Sequence, residues 1–138
     1  MKRLGVVIGA AMLCLALMAP AVDAAPSTAF TGSWTSIDPS DGSTQHMTIM
    51  GGTNVQIQYV DEYGTVCVLI GAPTTVATGF LVGEVSGNVL TATFKRGSCG
   101  PALFITGSAF FSWTFVYDPG TDTLYGSLND GPTTWYRD

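Results

Sequence analysis

From residue 25 onward, apolar and polar side chains alternate in short runs, and no stretch repeats at helical spacing. Val55, Ile57 and Tyr59 share one face of such a run, and Gln56 and Gln58 share the other. That period of two is what a half-buried strand requires. The same pattern predicts strands over residues 30–37, 43–50, 55–60, 65–70, 77–86, 89–96, 110–117, 123–128 and 133–137. The run 110–117 is the strongest, with Phe111, Trp113, Phe115 and Tyr117 on one face. Turn chemistry separates the runs, as in Asp38-Pro39-Ser40-Asp41-Gly42, Asp61-Glu62-Tyr63-Gly64 and Asp118-Pro119-Gly120. Gly87-Asn88 reads as a two-residue hairpin turn able to supply positive φ at both positions. Residues 103–105 fit either a short strand or a loop.

Connections this short favour an antiparallel meander, because parallel neighbours need long crossovers. The expectation is an all-β fold, an antiparallel up-and-down barrel of about eight strands. Closure removes the exposed strand edges that invite aggregation. A two-sheet β-sandwich is the alternative.

The first 24 residues follow a different pattern. Lys2 and Arg3 precede an uncharged apolar run over 4–18, shorter than the roughly 20 residues that span a bilayer. Pro20 breaks the run, and Val22 and Ala24 stand where a signal peptidase accepts small residues. Residues 1–24 are therefore expected to be a secretory signal peptide and 25–138 a single domain, secreted or periplasmic. Cys14 lies inside the apolar run without a lipoprotein box before it.

Removing that segment changes the charge balance. Lys95, Arg96 and Arg137 remain against nine carboxylates, a net charge of −6. Three scattered bases cannot line a phosphate backbone or coat an anionic membrane, so neither nucleic acid nor a membrane is an expected partner. The remaining cysteines, Cys67 and Cys99, are expected to form a disulfide in an oxidising compartment.

Candidate chemistry is sparse. His46 is the only histidine, and no serine sits in a nucleophile elbow to partner it. Lying between Gln45 and Met47 on an alternating strand, it is expected to face solvent. Asp61 with Glu62, Asp38 with Asp41, and Asp118 with Asp122 all fall in or beside turns, where carboxylates bond nearby backbone. No calcium-loop spacing is present, and no cofactor or metal is expected. The aromatic residues are numerous enough to fill a barrel of eight strands or to line a small pocket in it.

Gly32-Ser33-Trp34 opens the first strand and Trp135-Tyr136-Arg137 closes the last. This resembles the calycin superfamily of lipocalins and avidins, where Gly-x-Trp begins the first strand and a basic residue of the last packs over the Trp. The resemblance implies that Trp34 plugs one barrel end and that Arg137 lies across its ring, a structural pairing contributing roughly 0.5–2 kcal/mol. The chain is also similar to a group of uncharacterised secreted bacterial domains that begin Gly-x-Trp-x-Ser-x-Asp. They end with Asp-Pro-x-Thr-Asp-Thr-Leu, here Asp118 to Leu124, and Trp-x-Arg. That likeness implies no activity.

The functional expectation is a monomeric, non-enzymatic secreted protein that binds a small apolar molecule or a protein partner. Tyr59, Phe94 and Trp113 are the candidate pocket residues. A secreted protease inhibitor whose residues 25–29 enter the protease cleft is the first alternative, and a hydrolase using rim carboxylates the second.

Overall fold

The computed structural model describes residues 25–72, 74–101, 103–106, 112–128 and 131–138. Residues 1–24, where the signal peptide is expected, and Phe110 and Phe111, at the start of the expected strand 110–117, lie outside the described residues. The alternation resolves into β1 (Gly32–Ile37), β2 (Thr44–Gly51), β3 (Asn54–Glu62), β4 (Val76–Ser86) and β5 (Val89–Cys99). Then follow β6 (Leu103–Thr106), β7 (Ser112–Asp118), β8 (Thr123–Leu128) and β9 (Gly131–Arg137).

Every pairing is antiparallel, and eight strands close into a barrel in the order β1-β2-β3-β4-β5-β7-β8-β9. The ring shuts where β1 meets β9, with Trp34 opposite Arg137 and Thr35 opposite Tyr136. Closure excludes the sandwich. β6 and β7 share one edge of β5: β7 pairs with Val89–Thr93, and β6 with Arg96–Cys99. Residues 103–105 are thus strand, because β5 outruns β7 and leaves an edge to pair.

Two local expectations are corrected. Residues 65–70 do not form a strand; Val66–Leu69 is instead a single helical turn, α1. Both edges of β3 are already taken by β2 and β4, so this β-prone run has no partner there, and tertiary context overrides propensity. In the β4–β5 hairpin only Gly87 takes positive φ, 61°. Positive φ at the first central position alone fits a type II′ turn, which asks for Gly there and leaves Asn88 ordinary.

The inward face carries one continuous core, including Trp34, Met47, Ile49, Ile57, Leu81, Leu90, Phe115, Leu124 and Trp135. A short 3₁₀ turn, Ser27–Phe30, folds over the end of the barrel at which β1 begins, and drives Phe30 into that core. At the opposite end lie the β1–β2 turn, the β3–β4 connection and the start of β6. A Cys67–Cys99 disulfide joins α1 to the last residue of β5, with the Cα atoms 5.4 Å apart.

Candidate binding site

The two barrel ends differ in chemistry. At the plugged end Trp34 is fully buried and donates its indole N–H to the Phe30 carbonyl at 2.9 Å. The Arg137 guanidinium carbon sits 4.1 Å from the Trp34 ring centroid. Its N–H groups donate to the carbonyls of Thr31 at 2.8 Å and Ala29 at 2.6 Å. Two more bonds reach the Asp122 carboxylate, at 2.8 and 3.0 Å, and Arg137 holds that carboxyl below its ordinary pKa. Gly32 is needed here twice over: its φ is 136°, and a Cβ would stand 2.7 Å from Arg137 Nη1. These bonds also fasten the segment 27–31 onto the barrel, and Ala25 and Pro26 are the described residues ahead of the 3₁₀ turn.

Toward the loop end the interior is less tightly sealed. Tyr59 faces inward on β3 yet is only partly buried, and Phe94 and Trp113 each keep 7% exposure where Ile57, Phe115 and Trp135 keep none. The structure brings these three sequence candidates to one region. The Tyr59 and Trp113 rings meet edge to face with centroids 4.9 Å apart. Gly79 lies beside both other rings, and a methyl there would stand 3.4 Å from Phe94 and 3.5 Å from Tyr59.

Next to the aromatic layer, further toward the loop end, is a layer that sequence reasoning missed. Gln45 on β2 and Asp61 on β3 face each other across the ladder, both pointing inward, and both are buried along with Ser36, Asp38 and Ser43. Gln45 Nε2 donates to Asp38 Oδ2 at 2.8 Å. Gln45 Oε1, Ser43 Oγ and Asp61 Oδ1 are buried without a well-formed hydrogen bond, although the Ser43 hydroxyl lies near enough to the Asp61 carboxyl to act on its pKa. The signal was available: Gln45 is in phase with Met47 and Ile49, and Asp61 with Val55, Ile57 and Tyr59.

Two loops cover this layer. Asp41, in the β1–β2 turn, accepts from Ser43 N at 2.9 Å and, across to the β3–β4 connection, from Thr65 N at 2.8 Å and Thr65 Oγ1 at 3.0 Å. Slight burial acts to raise the Asp41 pKa, but these bonds outweigh it and bring the carboxyl down to about 2. Gly64 packs against the Asp61 carboxylate so closely that any Cβ would collide with it. The disulfide then ties the covering loop to β5. The loop's outer surface is apolar: Tyr63 is 76% exposed, Leu69 81%, and Val68 and Ile70 are exposed beside them.

The other candidates serve turns. His46 is exposed and bonds Thr35 Oγ1 through Nδ1 at 3.1 Å. Asp38 Oδ1 accepts from Ser40, Asp118 caps its own turn through Gly120 N and Thr121 Oγ1, and Glu62 is only half-buried. Asp61 stands apart. Burial pushes its pKa up from the ordinary 3.8, the Ser43 hydroxyl pulls it part of the way back, and the charges of Asp41 and Asp38 add to the rise.

A raised carboxyl pKa costs the folded state nothing while both states are protonated, and costs it increasingly above the ordinary value. Asp61→Asn is therefore expected to stabilise the protein by on the order of 1 kcal/mol at about pH 7. That gain vanishes below about pH 3. Urea midpoints of the two proteins at both pH values check the prediction, and an equal difference at both would refute it.

Among the described residues no group of three or more His, Cys, Asp or Glu side chains could hold a metal ion. Among the same residues no helix is long and apolar enough to cross a membrane. An open groove of about 540 Å³ crosses the outer face of β3–β5, lined by Gln56, Val82, Glu84, Thr91 and Thr93 among others. It contains none of the candidate residues. No protein-family model, curated protein or solved structure matches this chain.

Proposed function

We propose that the chain is an exported, non-enzymatic binding protein of calycin type, and that the loop-end half of its barrel takes a small ligand with an apolar body. The observation that carries this reading is the inward-facing aromatic set Tyr59, Phe94 and Trp113, which keeps residual solvent exposure while the other core aromatics Phe30, Trp34, Phe115 and Trp135 keep none. A barrel of this strand number has room either for packed side chains or for one small ligand. Aromatic faces with a few polar groups beside them are the usual lining of such a site. The Cys67–Cys99 bond fits an oxidising compartment.

Hydrolysis by rim carboxylates draws less support. Asp38 and Asp41 both spend their two oxygens on the protein's own donors, Asp38 on Ser40 and Gln45 and Asp41 on Ser43 and Thr65, so Asp61 has no free second carboxylate beside it. A protein-partner version draws on the exposed apolar tip Tyr63, Val68, Leu69 and Ile70, held in place by the disulfide.

Native mass spectrometry of the mature protein, purified undenatured from its own secretion route, separates the two versions. A discrete added mass on the monomer is the expected result. A bare monomer that also takes up nothing from a broad small-molecule screen overturns the small-ligand version and moves attention to the exposed loop.

A further inference from the structure

We infer that the ligand carries a primary ammonium group, received by Gln45 Oε1, Asp61 Oδ1 and Ser43 Oγ, while its apolar body lies against Tyr59, Phe94 and Trp113. The inference rests on the binding-protein reading above and adds the chemistry of the ligand head.

Three oxygens in residues more than nine-tenths buried (Gln45 and Ser43 1% exposed, Asp61 7%) lack a well-formed hydrogen bond, and the Ser43 hydroxyl, which acts on Asp61, brings the one hydrogen among them. Buried polar atoms in native proteins are nearly always paired, so a cluster of three asks for a partner from outside the chain. The orientation of Gln45 is fixed chemically. The Asp38 carboxylate can only accept, so the amide nitrogen must turn toward it, and Oε1 is left facing elsewhere.

The missing partner must donate, and it gains by being positive. An ammonium offers three donors and no acceptor, the complement of three unpaired oxygens beside the Asp61 and Asp38 carboxylates. Among the described residues none supplies a cation here. Arg137 is committed at the other barrel end, and Lys95 and Arg96 are exposed, Arg96 lying over the Phe80 ring at 5.0 Å. The adjoining Tyr59 and Trp113 rings favour a cation as well. A carboxylate ligand would meet the like charges of Asp61 and Asp38, with the Ser43 hydroxyl as its one donor. A calcium ion would want roughly six to eight oxygens, more than the cluster leaves unpaired. A bound water brings no charge to set against Asp61, and the test below detects it.

The test is calorimetric titration of the mature, disulfide-intact protein with phenylbutylamine, phenylbutanol and phenylbutyrate, which share one body and differ in the head. The amine is expected to bind at least about tenfold more tightly than the alcohol, with the carboxylate weakest. In Asp61→Asn the amine's advantage is expected to disappear while alcohol affinity is kept. Equal affinities for amine and alcohol overturn the ammonium inference and leave the binding reading standing. No heat from any of the three, with no retained ligand in the native mass spectrum, overturns both. A crystal of the amine-soaked protein with an ordered water on the three oxygens, and the amine elsewhere or absent, also overturns the inference.

Discussion

Replacing Trp34 by alanine is expected to lower the unfolding free energy by roughly 3–5 kcal/mol, the range for deleting a large aromatic side chain from a packed core. The cost has several sources acting at one place. The indole is fully buried, bonds the Phe30 carbonyl, meets Tyr117 edge-on at 6.5 Å, and lies beneath the Arg137 guanidinium. Its loss leaves a cavity, an unpaired carbonyl and an arginine without its ring. The same residue holds the register where β1 meets β9, the seam that closes the barrel. Natural domains have only about 5–15 kcal/mol in hand, so the variant should unfold at much lower denaturant. Trp34→Phe keeps a ring but loses the N–H bond, and is expected to cost less, about 1–2 kcal/mol. Urea unfolding of the three proteins, followed by far-UV circular dichroism, measures both differences. A Trp34→Ala midpoint within about 0.5 kcal/mol of the parent would show that the plug is dispensable.

Much of this architecture is legible in the sequence because alternation is a local property. The phase of Val55, Ile57 and Tyr59 sets which face of β3 turns inward, and the structure keeps that phase down to Asp61. The barrel itself follows from short connections and repeated turns, although the pairing that closes it, β1 with β9, joins residues a hundred positions apart and has no local sign. Residues 65–70 show the limit of propensity. Their β-branched, apolar run promises a strand, but no sheet edge is open to receive it. Tyr63 takes a left-handed φ of 68°, and Cys67 turns inward toward Cys99.

The candidate site divides in the same way. Aromatic residues announce themselves in a sequence, so Tyr59, Phe94 and Trp113 could be singled out, and the fold brings them to one region. Gln45 and Asp61 were hidden by a correct rule applied too early. Carboxylates near glycines usually belong to turns, and Asp38, Asp41 and Asp118 do. Asp61 sits one turn-like motif away from them, yet its place in the alternation sends it inward. Where the two signals conflict, phase along a strand outranks the residue's turn preference, because burial of the other inward residues fixes the register. The conflict itself carries information, since an inward carboxylate weakens the fold and persists where it serves another purpose.

The second large effect concerns the staple over that polar layer. Replacing Cys67 and Cys99 together by alanine is expected to destabilise the protein by roughly 3–4 kcal/mol on the chain-entropy view of a closed loop this long. The bond spans 32 positions, enclosing most of the β3–β4 connection, all of β4 and nearly all of β5. Among the described residues the cluster packed around it is small, Ala72 with Ala77 beside it, separate from the main core. Few apolar contacts therefore remain to hold α1 in place once the covalent link is gone. The damage should accordingly be uneven. Amides of residues 66–72 are expected to lose hydrogen-exchange protection first, while β1, β2 and β9 keep theirs until global unfolding. Loosening the loop also loosens Gly64 over Asp61, so water would reach the three unpaired oxygens and any ligand bound there should be held less tightly. Denaturant midpoints of the oxidised parent and the double variant give the global effect, and exchange read by mass spectrometry gives the local one. A midpoint change worth less than about 1 kcal/mol, with protection of 66–72 intact, would mean that Asp41 and Thr65 hold the loop without the sulfur bridge.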